Sequence, residues 1–282
     1  MPSRKAIKRR IISVKTTKQI VKAMNMVAAT KLSKTKNLHR TARPLFEESI
    51  RVMDQLKGCE FAQDHVFFQE REGGRAAYVV ICGDRGYCGS YNSNVSMAAL
   101  RHMDANDREE AVFTIGLRGR DFFQRRDKQI SQWYRGICEK ARYEEVKEIG
   151  DNLISLYLSG EVNEVYVVYT EFVTVLTHEP KVERVLPLGD GRKPNFESSG
   201  LQYEPNIDVI LEHAVPQFVS AFLYGAILES GCCEQAARMV SMDAATKSAA
   251  EIIEDLVRLF NRKRQAHITQ EITEIIGGAN VT

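Results

Sequence analysis

The stretch that decides the fold is SRKAIKRRIISVKTTKQIVKAMNMVAATKL, from Ser3 to Leu32. From Ser3 to Leu56 the chain contains one proline, Pro44, and no glycine, which predicts a helix far longer than the usual globular one. Apolar residues recur along this stretch at steps of three and four, or their sums, at Ile7, Ile11, Val14, Val21, Ala28 and Leu32. Lys18 and Asn25 are the polar exceptions on the same stripe. The pattern predicts one helix of a coiled coil, which Pro44 should bend or locally disrupt.

The other end of the chain repeats this pattern. No glycine or proline lies between Gly231 and Gly277, and a second stripe advances by threes and fours through Met239, Met242, Ala245, Ala249, Ile252, Leu256 and Leu259. This helix is predicted to begin near Asp208, with an interruption near Pro216. Neither helix could bury its stripe alone, so an antiparallel coiled coil of the two chain ends is predicted.

The middle of the chain has a different character. Three runs rich in β-branched and aromatic residues, at 77–82, 111–115 and 164–169, are predicted to be buried strands. Helical patterns at 93–104, 118–126 and 143–159 separate them. Strands that alternate with helices indicate a Rossmann-like α/β domain with a mostly parallel sheet. The predicted division is a long helix over 1–57, the central domain over 75–190 and a second long helix over 206–282.

The charge is unevenly distributed. Residues 1–46 carry thirteen Lys and Arg and no Asp or Glu, which leaves 26 basic against 37 acidic residues, or −11, for the remainder. Such an arm suggests an anionic partner, which could be nucleic acid, a membrane surface or an acidic protein. Lysine dominates the arm, which disfavours a transit peptide. The apolar run at 214–228 is broken by polar residues, so a soluble or peripheral protein is expected.

Residues 83–92, GDRGYCGSYN, follow a predicted strand and open a helix, where phosphate-binding loops occur. The glycine spacing matches neither the P-loop nor the dinucleotide fingerprint, so a structural turn is favoured over nucleotide binding. Cys88 lacks a nearby histidine that would make it a nucleophile, and the six cysteines and six histidines form no metal-ligand spacing. The sequence predicts no catalytic residue, cofactor or metal site.

Several ordered blocks together resemble the gamma subunits of bacterial F-type ATP synthases. At the start these are Ile7–Lys15 and Ile20–Ala29; towards the end they are Glu234–Met239, Met242–Thr246, Asn261–Ala266 and Ile268–Gly278. The loop at 84–89 and the run Tyr203–Pro205 fall where that family has them. The resemblance covers essentially the whole chain.

The resemblance implies a non-catalytic rotor that turns inside a ring of three alpha and three beta subunits. Rotation would couple proton or sodium flow across the membrane to ATP synthesis or hydrolysis. Further implied partners are the epsilon subunit and the ring of c subunits, and the implied location is peripheral, on the cytoplasmic face of the bacterial cell membrane. The alternative is a nucleic-acid-binding protein with a basic helical arm, although Phe46 is the only aromatic residue before position 60.

The same resemblance implies roles for particular residues. Met24 would face Arg238 in a cluster that influences coupling, and Arg264, Gln265 and Thr269 would meet loops of the beta subunit. The positions expected to approach the c ring are Leu201, Tyr203 and Glu204.

Overall fold

The structure is a computed structural model that describes residues 3–57, 62–106, 108–189, 204 and 206–279. The helices are α1 (Arg4–Lys57), α2 (Tyr91–Ala105), α3 (Leu117–Gln124), α4 (Ile137–Lys140), α5 (Tyr143–Leu158) and α6 (Ile207–Ala279). The strands are β1 (Arg75–Ile81), β2 (Glu109–Ile115), β3 (Ile130–Tyr134), β4 (Glu164–Phe172) and β5 (His178–Leu186).

The chain divides into two compact units. The helix-end unit consists of Met1–Ala29 and Arg238–Thr282, and the sheet unit is Thr30–Ala237. Both long terminal helices predicted from the sequence are confirmed, with 54 residues in α1 and 73 in α6. The domain division at 1–57, 75–190 and 206–282 stays a prediction.

In the helix-end unit the two chain ends pack along a regular seam. The less exposed positions of α1 lie alternately four and three residues apart, at Ile7, Ile11, Val14, Lys18, Val21, Asn25 and Ala28. This is the spacing of a heptad repeat. The two polar members belong to the seam, and the Asn25 side-chain amide donates a hydrogen bond of 2.9 Å to the carbonyl oxygen of Met239 in α6.

The matching seam of α6 corrects one sequence prediction. Its less exposed positions include Met242, Ala249, Ile253 and Leu256, whereas the predicted member Ile252 is 47% exposed. Residues 252 and 253 are both isoleucine, so composition could not distinguish them. The heptad spacing from Ala249 selects the second, four residues further on.

In the sheet unit a five-stranded sheet has the order β3-β2-β1-β4-β5. Strands β1 to β4 run parallel to one another, and β5 is antiparallel to β4. The mostly parallel sheet is therefore confirmed, but sequence analysis missed both edge strands. Strand β3 has three exposed side chains in its centre, and β5 contains charged residues and Pro180, which edge strands tolerate.

Each face of the sheet is covered by helices, because alternate residues of a strand point to opposite faces. Val79 and Ile81 of β1 join a core with residues of α5 and of α6 up to Leu228. Tyr78 and Val80 join a second core with residues of α2 and Phe123 of α3. The α/β class predicted from the sequence is confirmed.

Neither helix proline interrupts its helix. Helix α1 continues through Pro44, and α6 continues through Pro216, so the predicted interruption near Pro216 is wrong. A proline removes one helical hydrogen bond, and here the neighbouring Val215 and Val219 are fully buried. Packing of these side chains in the core therefore keeps the helical turn at Pro216 intact.

One stretch of α6 has the length and composition of a membrane-crossing helix. However, 61% of that stretch is buried inside the protein. Its apolar residues form part of the core described above, which accounts for their hydropathy.

Candidate functional site

The carboxyl ends of β1, β2 and β3 lie side by side because the three strands are parallel. Asp84, just after β1, joins the loops that follow all three. One oxygen of its carboxylate accepts the backbone N–H of Leu117 at 3.1 Å, and the other accepts that of Gly136 at 2.8 Å. We call this arrangement the Asp84 clasp.

The loop that carries Asp84 is fixed from within. The Asn92 side chain accepts the backbone N–H of Gly83 at 2.8 Å and donates to the carbonyl oxygen of Arg85 at 3.2 Å. Gly83 lies so close to Glu234 that an added Cβ would be 2.6 Å from its carboxylate oxygen. These internal bonds support the sequence interpretation of residues 83–92 as a structural turn.

An open cleft of about 490 Å³ lies beside this turn. One wall comes from the turn and the start of α2, and the other comes from α3. Its lining residues are Gly86, Tyr87, Gly89, Asn92, Ser93, Arg118, Phe122, Arg125 and Arg126. No carboxylate is among them. We refer to this cleft as the arginine groove.

The described cysteines of the sheet unit are free thiols in protected surroundings. Burial raises the pKa of the Cys82 thiol and that of Cys232 to about 12. Burial also raises the pKa of Cys138 and Cys233. Neutral thiols are poor nucleophiles, so these four are packing residues.

Cys88, the one cysteine considered as a nucleophile, is buried within the turn. Its sulfur receives a hydrogen bond from the Asn92 side chain at 3.1 Å, which ties it to the same network. In the described part of the chain no three His, Cys, Asp or Glu residues group as metal ligands.

The basic arm has few internal partners. Of its cations, Lys31 pairs with Glu139 at 3.0 Å and Arg43 pairs with Glu47 at 2.6 Å, both in the sheet unit. The basic-arm cations that lie in the helix-end unit form no ion pair with a described carboxylate: Arg4, Lys5, Lys8, Arg9, Arg10, Lys15, Lys18 and Lys22. The positive charge of this segment is therefore available to an external anion.

The last described turns of α6 are exposed on every side. From Arg264 to Ile276 each residue is exposed. This segment, the α6 tip, contains large apolar side chains at exposures of 42 to 71%, namely Ile268, Ile272, Ile275 and Ile276. Apolar groups displayed in this way favour burial against another surface.

The structure places the other predicted site residues as follows. Arg238 is buried and Met24 is half-buried, and they adjoin Met239 and Asn25, which are hydrogen-bonded. The two predicted partners thus lie at one level of the helix pair.

Arg264, Gln265 and Thr269 lie together on the α6 tip, where the Thr269 hydroxyl donates to the carbonyl oxygen of Gln265 at 3.0 Å. Glu204 is exposed, whereas Leu201 and Tyr203 lie outside the described residues.

Sequence reasoning missed the Asp84 clasp, the arginine groove and a polar cluster under α2. In that cluster Glu164 accepts hydrogen bonds from Asn106 at 3.2 Å and from Tyr166 at 3.1 Å. Burial and the neighbouring Glu164 carboxylate raise the pKa of Tyr166 to about 12. The groove left one signal in the sequence, the dense arginines between 118 and 126.

A coiled-coil element formed by the two chain ends, with an α/β unit inserted between them in the sequence, defines a class of two-unit proteins. The family profile described as ATP synthase matches residues 3–281. The ATP synthase gamma chain of Pelotomaculum thermopropionicum is 39% identical over 285 residues, which cover 99% of each chain. The sodium-ion-specific ATP synthase gamma chain of Acetobacterium woodii is 38% identical over 293 residues, covering 97% of this chain and 96% of its own.

The fold also recurs in a solved structure of the Euglena gracilis mitochondrial ATP synthase. The TM-score is 0.70 at 17% identity, with 99% of this chain and 94% of that chain covered. The chain belongs to the ATP synthase gamma chain family. It is a non-catalytic, central-stalk subunit of a rotary, membrane-associated ATP synthase complex.

Proposed function

We propose that this chain turns within a ring of three alpha and three beta subunits and thereby couples transmembrane ion flow to ATP synthesis or hydrolysis. The observation that carries this proposal is the α6 tip, where four isoleucines are exposed although side chains of this type are usually buried in a core. An apolar surface slides against an apolar sleeve without breaking specific hydrogen bonds, because dispersion and hydrophobic contacts are non-directional. Such a contact suits a bearing.

Polar residues on the same tip would add a directional contact. Arg264 forms no ion pair with a described carboxylate, and its guanidinium has the fork geometry that binds carboxylates. With Gln265 and Thr269 beside it, we assign these three residues to loops of the beta subunit. Charge-assisted bonds made and broken in each turn would couple the angle of the rotor to the state of the ring.

We assign the level of Met24 and Arg238 to coupling as well. Arg238 is 8% exposed and is held within the protein, whereas the neighbouring Met26 is 64% exposed. Met24, half-buried beside the Asn25 hydrogen bond, would transmit contacts from a partner to the helix seam. A change of side-chain volume here is expected to alter coupling more than assembly.

The basic arm would face acidic segments of the beta subunits. The eight cations of the basic arm that lie in the helix-end unit lack described carboxylate partners, so a complementary surface would raise the association rate and fix the orientation. This electrostatic contribution should weaken as ionic strength rises.

The remaining partners follow from the same proposal. The epsilon subunit and the c ring would contact the rotor, with Leu201, Tyr203 and Glu204 approaching the c ring. The chain would lie at the cytoplasmic face of the bacterial cell membrane, held through the membrane-embedded sector. The coupling ion, proton or sodium, is chosen by the c subunit.

The first experiment tests assembly. Affinity purification of the tagged chain from its native cell should recover ATPase alpha and beta subunits in molar excess over it. Reversing Lys8 and Arg9 to glutamate should reduce that recovery, most strongly at low salt, whereas reversing the exposed cations Arg101 and Lys140 should not. Recovery of a nucleic-acid particle without ATPase subunits would refute the rotor proposal.

A further inference from the structure

The arginine groove combines three cations that no carboxylate neutralises. Arg118, Arg125 and Arg126 all line it, and none forms an ion pair with a described acidic residue. The nearest acidic residue along α3, Asp121, is paired with Arg120 at 2.9 Å. In a chain with 37 acidic residues, three such guanidinium groups around one cleft form a concentrated positive site.

Neutral contacts orient two of the arginines, both of which lie just beyond the end of α3. The Arg125 side chain donates to the carbonyl oxygen of Asp121 at 2.9 Å. Arg126 donates to the carbonyl oxygen of Phe122 at 3.2 Å and lies 3.7 Å from the centre of its ring. These contacts orient the two side chains without cancelling their charge.

The wall that consists of the turn and the start of α2 is attached to α3 by backbone hydrogen bonds. The Arg118 backbone N–H donates to the Gly83 carbonyl oxygen at 3.1 Å, so the start of α3 is tied to the turn. The Asp84 clasp fixes the same junction through Leu117. Gly86 lies beside the Arg118 guanidinium, where an added Cβ would be 3.4 Å away, at ordinary van der Waals distance.

Helix α2 begins in this wall and presents no competing negative charge. Its first turn contains no acidic residue, and the Ser90 side chain does not cap it. Asn92 and Ser93 of that turn line the groove, where the positive end of the helix dipole adds to the arginine charge. The rim carries Tyr87, an aromatic side chain that is 72% exposed.

We propose that the arginine groove binds a small phosphate-bearing anion, of the class of pyrophosphate or a nucleoside diphosphate. Guanidinium forks bind phosphate oxygens in pairs, and three of them match a group with several negative charges. The cleft, at about 490 Å³, has the size of a small-molecule site rather than of a protein interface. This ligand site is independent of the proposed bearing on the α6 tip.

The test is calorimetric titration of the purified full-length chain with pyrophosphate and, separately, with ADP. We expect saturable binding of both at low ionic strength. Replacing Arg118 and Arg125 together with glutamine should weaken binding at least tenfold, whereas the matched control Arg101→Gln, outside the groove on α2, should leave it unchanged. Circular dichroism on each variant separates loss of binding from loss of fold.

A second variant identifies the source of the phosphate. If Tyr87 stacks on the base of a nucleotide, Tyr87→Ala weakens the binding of ADP and leaves the binding of pyrophosphate intact. If ADP and pyrophosphate instead bind with the same affinity as each other in every variant, the site recognises phosphate groups alone. Tyr87 is exposed, so its replacement does not endanger the core. The proposal is overturned if neither ligand binds, if Arg101→Gln weakens binding as much as the double variant, or if an Asp/Glu-rich peptide displaces pyrophosphate at lower concentration than ADP does.

Discussion

Replacing Asp84 with alanine should destabilise the sheet unit, because the Asp84 clasp satisfies two backbone donors at once. The N–H groups of Leu117 and Gly136 both lose a charged acceptor. A hydrogen bond to a charged group contributes about 1.5–3 kcal/mol, and half-exposure of Asp84 places each bond near the lower value. Two such bonds give about 3 kcal/mol.

This loss should lower the midpoint of thermal unfolding by about 6–12 °C, since about 1 kcal/mol corresponds to about 2–4 °C for a domain of this size. Trp133 is the only tryptophan and lies in β3, next to the loop that the clasp holds. Its fluorescence during heating therefore reports the affected region directly, and far-ultraviolet circular dichroism reports the helices in parallel.

Two further variants make the result specific. Asp84→Asn keeps one acceptor oxygen and should lose about half as much stability. Asp151→Ala removes only an exposed ion pair with Lys147, worth about 0.3–0.5 kcal/mol, and serves as the control. A midpoint for Asp84→Ala within 2 °C of that control would show, by the scale of about 2–4 °C for each kcal/mol, that the clasp contributes little.

Three other outcomes are expected. Gly116→Ala should lower the free energy of unfolding in urea by more than about 3 kcal/mol, since its Cβ would lie 2.2 Å from a carbonyl oxygen at a φ of +99°. Gly136→Ala, at a φ of +77° but with open space around the added Cβ, should lower it by about 1 kcal/mol. Equal unfolding midpoints for the two variants would contradict this. Peptide mapping after thiol labelling at pH 8 should find Cys82 and Cys232 unmodified until the protein unfolds, because their raised pKa, about 12, keeps them protonated at that pH. Ile272→Asp should leave thermal unfolding unchanged, since the side chain is 51% exposed, yet reduce ATP synthesis by inverted membrane vesicles; normal synthesis would argue against the apolar bearing.

The sequence alone predicted the long helices because their signals are local. Absence of glycine and proline and a heptad spacing are visible within a few turns. Ile252 and Ile253 show the limit of that reasoning, since a one-residue shift moves a stripe around the helix and both positions hold the same side chain. Only packing against the partner decides which one is covered.

The clasp and the groove depend on contacts between distant parts of the chain. Asp84 reaches donors 33 and 52 residues away, at places set by the order of the strands. Arg118 and Tyr87 share a cleft for the same reason. For the α6 tip the situation is reversed. The resemblance to a known family predicted its functional residues, but an exposed segment makes few internal contacts from which a role could be argued.

The heptad seam of the helix-end unit also has a mechanical consequence. A repeat of 3.5 residues per turn is shorter than the natural 3.6, so helices that keep it wind around each other in a left-handed sense. A twisting load of the same hand tightens such a pair, whereas the opposite load loosens it. The torsional stiffness of the helix pair should therefore differ between the two senses of rotation.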